Sequence, residues 1–192
     1  MTNDGLIDSK RLEFFSDAVL AVAITLMVLR IDPPVPTPGQ SLAEAFWTET
    51  VPAIVYFLIT FAVIVRFWMG HHDVFLKIGP RASARALMAN MTFLALICLL
   101  PFGLEFFTSD PRSYLTTAVY AGLLALCSLA LTWLARVAIG DRSVDGIARA
   151  VVFLLAIPFA DLLAGWSPVI WFLNLPVSAW VERRYPSGPD RD

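Results

Sequence analysis

Charged residues are scarce in this chain. Lys, Arg, Asp and Glu make up 16% of its 192 residues, whereas 58% are hydrophobic. Soluble domains carry about a quarter charged residues and interrupt their apolar runs more often. Here the apolar runs recur along the whole chain, and several are long enough to cross roughly 30 Å of hydrocarbon at about 1.5 Å per helical residue. The scarcity of charge therefore excludes an ordinary soluble domain and indicates an integral membrane protein.

Cysteine and histidine are scarcer still, with two residues of each. Cys98 and Cys127 lie inside apolar runs, so we interpret them as small hydrophobic residues that form neither a disulfide nor a metal site. The adjacent His71 and His72 point to different faces of a helix, and no further ligands are evident beside them, which argues against metal binding. We expect no metal, no cofactor and no nucleic-acid partner.

Six apolar segments predict six transmembrane helices in a single all-α domain that covers residues 1–192. Pro33 and Pro34 follow the first segment and Pro80 separates the second from the third, because proline cannot donate to the helical hydrogen-bond ladder. The sixth segment is short for a full crossing, and no repeat relates the two halves of the chain. The predicted spans are residues 12–31, 51–69, 84–102, 114–139, 147–166 and 167–180.

The basic residues are distributed unevenly across this predicted topology. Twelve of the fourteen lie on one side of the membrane, and only Arg30 and Arg112 lie on the other. Lys and Arg concentrate in cytoplasmic loops, so both termini are predicted to be cytoplasmic, as an even number of crossings requires. The twelve are Lys10, Arg11, Arg66, Lys77, Arg81, Arg85, Arg136, Arg142, Arg149, Arg183, Arg184 and Arg191.

A narrow apolar stripe runs along the first span. At about 100° per helical residue, several side chains fall on one face, and Ser16 and Asp17 point away from it. Two interpretations remain open: close helix–helix packing, or the face of a pore that closes by dewetting at apolar rings. Periodicity alone does not choose between them. The stripe consists of Phe14, Ala18, Val22, Thr25 and Leu29, with Leu26 at its border.

Asp17 is an ionisable residue within the first span, where a charge is costly and usually has a partner or a function. The predicted topology puts Trp68, His71 and His72 at a similar depth, with Arg85 at the start of the third span. We therefore expect an Asp–His or Asp–Arg contact that ties these helices together.

The polar opening of the first span follows the pattern Arg-x-x-x-Phe-Ser-Asp-x-Val, although membrane helices are normally apolar. The residues of the pattern are Arg11, Phe15, Ser16, Asp17 and Val19, followed by Thr25, Leu26 and Leu29. This pattern resembles the signature of the transmembrane protein 175 family of potassium channels. Trp68 with His71 and His72 resembles the family's Trp-x-x-His ending of the second helix, and Asn90 resembles a residue of its third helix.

The resemblance implies six helices per repeat and no selectivity filter of backbone carbonyls. In that family the first helix lines the pore, and bacterial members with one repeat assemble as homotetramers. The implied function is a modestly potassium-selective cation channel with a hydrophobic gate, and Ser16 and Asp17 would belong to a structural network around the pore helix. Val22 is smaller than the Leu or Ile usual in its layer. The positions that match the constriction are Val22, Thr25, Leu26 and Leu29.

A secondary transporter is the alternative, which would predict internal repeats and broken helices near the bilayer centre. An enzyme would need a nucleophile–base pair or a metal motif, and the sequence offers only Asp17 with His71 and His72. We therefore expect a channel in the plasma membrane and no catalytic residues. Asp161, in the fifth predicted span, is either a structural group or part of an ion route.

Overall fold

The computed structural model describes residues 7–29 and 31–159, together with Leu162 and Ile170. The regular secondary structure of this part of the chain is helical, apart from one pair of two-residue strands. The elements are β1 (Ile7–Asp8), α1 (Ser9–Val28), α2 (Leu42–Ala45), a π-helical turn (Phe46–Thr50), α3 (Val51–Lys77), β2 (Arg81–Ala82), α4 (Ala84–Ser109), α5 (Tyr114–Ile139), α6 (Asp145–Leu154) and a 3-10 turn (Ile157–Phe159).

Three helical segments within these residues are long and apolar enough to cross a membrane, namely Leu42–Lys77, α4 and α5. Helix α1 differs from them because Lys10, Arg11, Glu13 and Asp17 charge its first half. The expectation of a helical, multi-pass membrane protein is confirmed at this level. Apart from Ile170, the sixth predicted span lies outside the described residues, and so does Asp161.

The helices differ in length from the predicted spans for local reasons. Helix α3 continues to Lys77, beyond residue 69, because its last turns bury His71 and Phe75 in the core. Helix α4 continues to Ser109 with Pro101 in its interior, so this proline does not end the helix. Gly140 ends α5 in the left-handed conformation at φ +69°, which glycine adopts without a steric penalty.

The segment before α3 is helical and continuous with it. Ser41 caps α2 in a capping box with Glu44, and the chain then widens into the π-helical turn. Pro52 follows this turn, and a proline nitrogen cannot donate the bond that an α-helix would need there. The chain therefore runs as one helical segment from α2 through the π-helical turn into α3.

The start of α1 is tied to the turn between α3 and α4. Strand β1 pairs antiparallel with β2, with Ile7 opposite Ala82. Ser9 adds two bonds: its N–H donates to the Pro80 carbonyl at 3.2 Å and its hydroxyl to the Gly79 carbonyl at 2.7 Å. Strands of two residues have no detectable period, so the sequence did not predict them.

Two contacts organise the rest of the bundle. Helix α5 packs along α4 over an aromatic core that includes Phe107 and Tyr120, and α6 packs on α5. Gly146 lets α6 approach closely, and the Ser128 hydroxyl donates to its carbonyl at 2.8 Å. A Cβ at Gly146 would collide with Thr132 Oγ1 and lie 3.2 Å from the Ser128 carbonyl oxygen.

We expect Gly146→Ala to lower the thermal unfolding midpoint of the detergent-purified protein, because overpacking of a close helix contact typically costs about 1–3 kcal/mol. The matched control is Gly122→Ala in α5, where an added Cβ meets nothing within 4 Å. Equal midpoints for the two variants would contradict the close contact between α5 and α6.

Candidate pore helix and its polar network

Helix α1 has two distinct faces. One face is buried against α4 and α3, to which α1 packs, and it consists of Leu12, Ser16, Leu20, Ala23 and Met27. The other face is exposed in the single subunit: Val22 is 55% exposed and Leu29 72%. The exposed face contains every residue of the apolar stripe, including Thr25 and Leu26.

A chain of buried hydrogen bonds joins α1 to α4 and α3. His71 Nε2 donates to Asn90 Oδ1 at 2.9 Å, and Asn90 Nδ2 donates to Ser16 Oγ at 2.9 Å. The Ser16 hydroxyl in turn donates to the Leu12 carbonyl at 2.9 Å. Because Asn90 Oδ1 only accepts, the bond assigns a proton to His71 Nε2. Ser16, His71 and Asn90 are all fully buried.

A second set of contacts joins α1 and α3 nearer the surface. Trp68 Nε1 donates to Asp17 Oδ1 at 2.9 Å, and His72 Nδ1 lies 3.3 Å from Glu13 Oε1. Glu13 and Asp17 are one helical turn apart on α1, and Trp68 and His72 are one turn apart on α3. The two contacts therefore lie at successive turns of the two helices. The rings of Trp68 and His72 stack on each other, with centroids 5.7 Å apart.

The structure does not contain the Asp–His or Asp–Arg contact that was predicted for Asp17. Its carboxylate binds Trp68 and neither of the histidines nor Arg85; Glu13 binds His72, and Asn90 binds His71. Indole is a good partner at this depth because it is largely apolar with a single N–H donor.

The remaining residues of the sequence pattern do not join the buried chain. Arg11 and Phe15 lie on the exposed side of α1, and the Arg11 backbone N–H donates to Asp8 Oδ1 at the N-cap of the helix. Their position leaves these two side chains available to surfaces outside the single subunit.

Asn90 and Glu13 are members of the polar network that sequence reasoning did not place in it. An amide within the apolar helix α4 was the available signal for Asn90, because a buried polar group needs hydrogen-bond partners. For Glu13 the signal was its spacing of four residues from Asp17, which puts both acids on one face of α1. Pairing across helices cannot be deduced from spacing within one helix.

The part of the chain that contains this network is similar to known proteins. Residues 11–101 match the family described as "Endosomal/lysosomal potassium channel TMEM175". The chain also resembles the crystal structure of a lysosomal potassium-selective channel TMEM175 homolog from Chamaesiphon minutus, with a TM-score of 0.71 and 26% identity over 90% of this chain and 97% of that one.

Curated relatives agree with the family match. A protein named potassium channel from Streptomyces collinus is 30% identical over 64% of this chain and 61% of its own length. One of the same name from Chamaesiphon minutus is 34% identical over 60% of this chain. The alignments thus span 61% and 59% of these relatives. The human endosomal/lysosomal proton channel TMEM175 is 26% identical over 56% of this chain and 21% of its own length.

The fold and the polar network define a multi-pass helical membrane protein. Residues 11–101 of the chain resemble the TMEM175 family, and the fold resembles that of a TMEM175 homolog.

We expect Asn90→Leu to destabilise the subunit, because it removes the hydrogen-bond partner of two buried groups and each unpaired group costs about 1–3 kcal/mol. Thr92→Val is the control on the same helix, since the Thr92 hydroxyl is exposed and donates to the Met88 carbonyl within α4. Asp17→Ala should have a smaller effect than Asn90→Leu, because the Asp17–Trp68 contact is exposed. Thermal unfolding in detergent measures all three, and a loss at Thr92→Val equal to that at Asn90→Leu would contradict the role of the buried chain.

Proposed function

We propose that this chain forms a potassium-permeable cation channel in which α1 of each of four subunits lines the pore. The observation that supports it is the exposed stripe on a helix whose opposite face is fixed by buried hydrogen bonds. One such helix per subunit cannot enclose a pore, so the proposal requires a symmetric ring of copies.

The chemistry of the stripe suits a gate. Val22, Leu26 and Leu29 would each contribute one apolar ring per tetramer, and a narrow apolar ring excludes water and raises the barrier to a hydrated ion. Thr25 is the hydroxyl within the stripe, and its Oγ1 donates to the Val22 carbonyl at 2.9 Å. Because the hydroxyl proton is used within the helix, the oxygen can present lone pairs to a cation. The resulting selectivity is modest and favours the more easily dehydrated ion.

The names of the relatives favour a channel over a secondary transporter or an enzyme. The two bacterial relatives are named potassium channels, and the human relative is named a proton channel. We propose potassium as the permeant ion because the bacterial relatives align with a larger share of their own length. Passive, potential-driven flux separates this proposal from coupled transport.

The remaining architecture is proposed by the same reasoning. With six crossings per subunit, both termini lie in the cytoplasm. The membrane that contains the channel is the plasma membrane. The start of α1 and the ends of α3 and α5 carry basic residues, and β1 pairs with β2 beside the end of α3. We refer to this side of the bundle as the basic end, and it would face the cytoplasm.

We expect Leu26→Asn and Leu29→Asn to increase resting potassium flux in liposomes and to reduce the preference for potassium over sodium, because a polar side chain lets water wet the constriction. Thr25→Ala should reduce the preference with less effect on closure. The measurement is potential-driven flux of each ion at matched protein density.

Two controls separate a pore face from a lipid-facing one. Leu58→Asn changes an exposed leucine of α3, 54% exposed against 46% for Leu26, and should leave flux unchanged. Leu20→Asn changes a buried residue of α1 and should impair folding without opening a pore. Unchanged flux in the stripe variants together with increased flux in Leu58→Asn would refute the assignment of α1.

A homotetramer is the expected assembly. Native mass spectrometry of the purified protein should give four subunits, and the same preparation should conduct potassium after reconstitution. A monomer or dimer that is active at the concentration of the flux assay would overturn the ring arrangement.

A further inference from the structure

One face of α4 is exposed along most of the helix. Its residues are spaced alternately by three and four, so they lie within one arc of the helical surface. Met88 is 62% exposed, Leu99 47% and Phe102 57%, and the helix is long and apolar enough to cross a membrane. We refer to this surface as the outer face of α4, and it consists of Arg85, Met88, Thr92, Ala95, Leu99 and Phe102.

Two exposed arginines lie where this face meets the basic end of the bundle. Arg81 is in β2, and Arg85 follows four residues later in the first turn of α4, so their Cα atoms are at most about 14 Å apart. Ala82, the neighbour of Arg81, is fully buried. Because successive side chains of a strand point to opposite sides, Arg81 points outward.

Neither arginine has an ion-pair partner in the part of the chain that the structure describes. Asp8 lies opposite Arg81 in the strand pair, but its Oδ1 accepts the backbone N–H of Arg11 at 3.0 Å. The described residues thus leave two guanidinium groups available to an anion from outside the subunit. The planar fork of a guanidinium matches the oxygens of a phosphate, which it binds with two parallel hydrogen bonds.

The outer face beyond Arg85 suits an acyl chain. Thr92 carries the hydroxyl of this face and donates it to the Met88 carbonyl at 2.9 Å within the helix, so its polar hydrogen has an acceptor in hydrocarbon. One leaflet contributes about 15 Å of hydrocarbon, half of roughly 30 Å, and at about 1.5 Å per residue this length reaches from Arg85 to Ala95. Thr92 and Ala95 are smaller than Met88 and Leu99, which leaves room for a chain between the larger side chains.

We propose that Arg81 and Arg85 bind the phosphate of an anionic phospholipid and that one acyl chain of this lipid lies along the outer face of α4. Charge complementarity favours a headgroup with net negative charge, such as phosphatidylglycerol, because the ammonium of a zwitterionic headgroup would be repelled by the two cations. Basic residues are general at the cytoplasmic side of membrane proteins and by themselves select no binding face. Here the two arginines continue into an exposed apolar face, and a phospholipid uses both, whereas a soluble anion uses the arginines alone.

A titration with two lipids tests the choice of headgroup. Native mass spectrometry of the detergent-purified full chain counts the bound lipids during titration with phosphatidylglycerol and with phosphatidylcholine of identical acyl chains. We expect phosphatidylglycerol to bind more tightly, and equal affinities would overturn the proposal. Inorganic phosphate at the same concentration should leave phosphatidylglycerol bound. Displacement of the lipid by phosphate would show that the anion alone is recognised, and it would overturn the lipid assignment.

A pair of matched variants locates the headgroup. Arg85→Gln should weaken phosphatidylglycerol binding about tenfold, the effect of one charge-assisted hydrogen bond, and leave phosphatidylcholine binding unchanged. The control is Lys77→Gln, which removes an exposed cation of the basic end that lines a separate cleft between α3, α5 and α6, and it should retain the wild-type affinity. Equal losses in the two variants would mean that the lipid responds to the charge of the whole basic end, which contradicts a defined site.

A third variant tests the path of the acyl chain. Ala95→Trp places a large side chain on the outer face and should weaken phosphatidylglycerol binding without changing the number of subunits in the assembly, which the same spectra report. Unchanged affinity would refute the acyl-chain path. A loss of subunits would show that a second copy of this chain covers the face, and it would overturn the proposal. The inference goes beyond the proposed function, and none of these outcomes depends on ion flux or on the position of α1.

Discussion

The hydrogen-bonded side chain of Asn90 is the constraint on which the arrangement of α1, α3 and α4 depends. It joins α4 to α3 through His71 and to α1 through Ser16, with all three side chains buried. In an apolar interior such bonds gain strength and unpaired groups are heavily penalised. Rotation of α1 about its axis would break the bond to Ser16, so this one amide fixes which face of α1 points outward.

Much of the fold followed from the sequence, because membrane helices are specified by the length and composition of apolar runs. The helix from Tyr114 to Ile139 is a local consequence of composition, and the separation of the stripe from Ser16 is a consequence of the helical period. Whether the stripe packs against another helix or is exposed depends on the neighbouring helices, so periodicity left that question open. The ends of α3 and α4 were missed because packing with neighbouring helices decides them. The two-residue strands lie below the length at which a pattern exists.

The polar network was predictable in part. The sequence indicated that Ser16 and Asp17 turn away from the stripe and that Trp68 and the histidines lie at their depth. The predicted Asp–His or Asp–Arg contact was wrong, because His72 contacts Glu13 and the Trp68 indole donates to the carboxylate of Asp17. Which of several compatible groups meet depends on the axial offset of two helices, and the sequence of either helix does not contain that offset.

The strand pair at the start of α1 has a practical consequence for labelling experiments. Ile7 and Asp8 are held against Ala82 and Arg81, so a probe attached at Ile7 sits beside the turn between α3 and α4. The separation between such a probe and a second one at Gly79 would report rigid-body sliding of α1 relative to its neighbours. A hinge within α1 would leave that separation unchanged, so the two kinds of motion have different spectroscopic signatures.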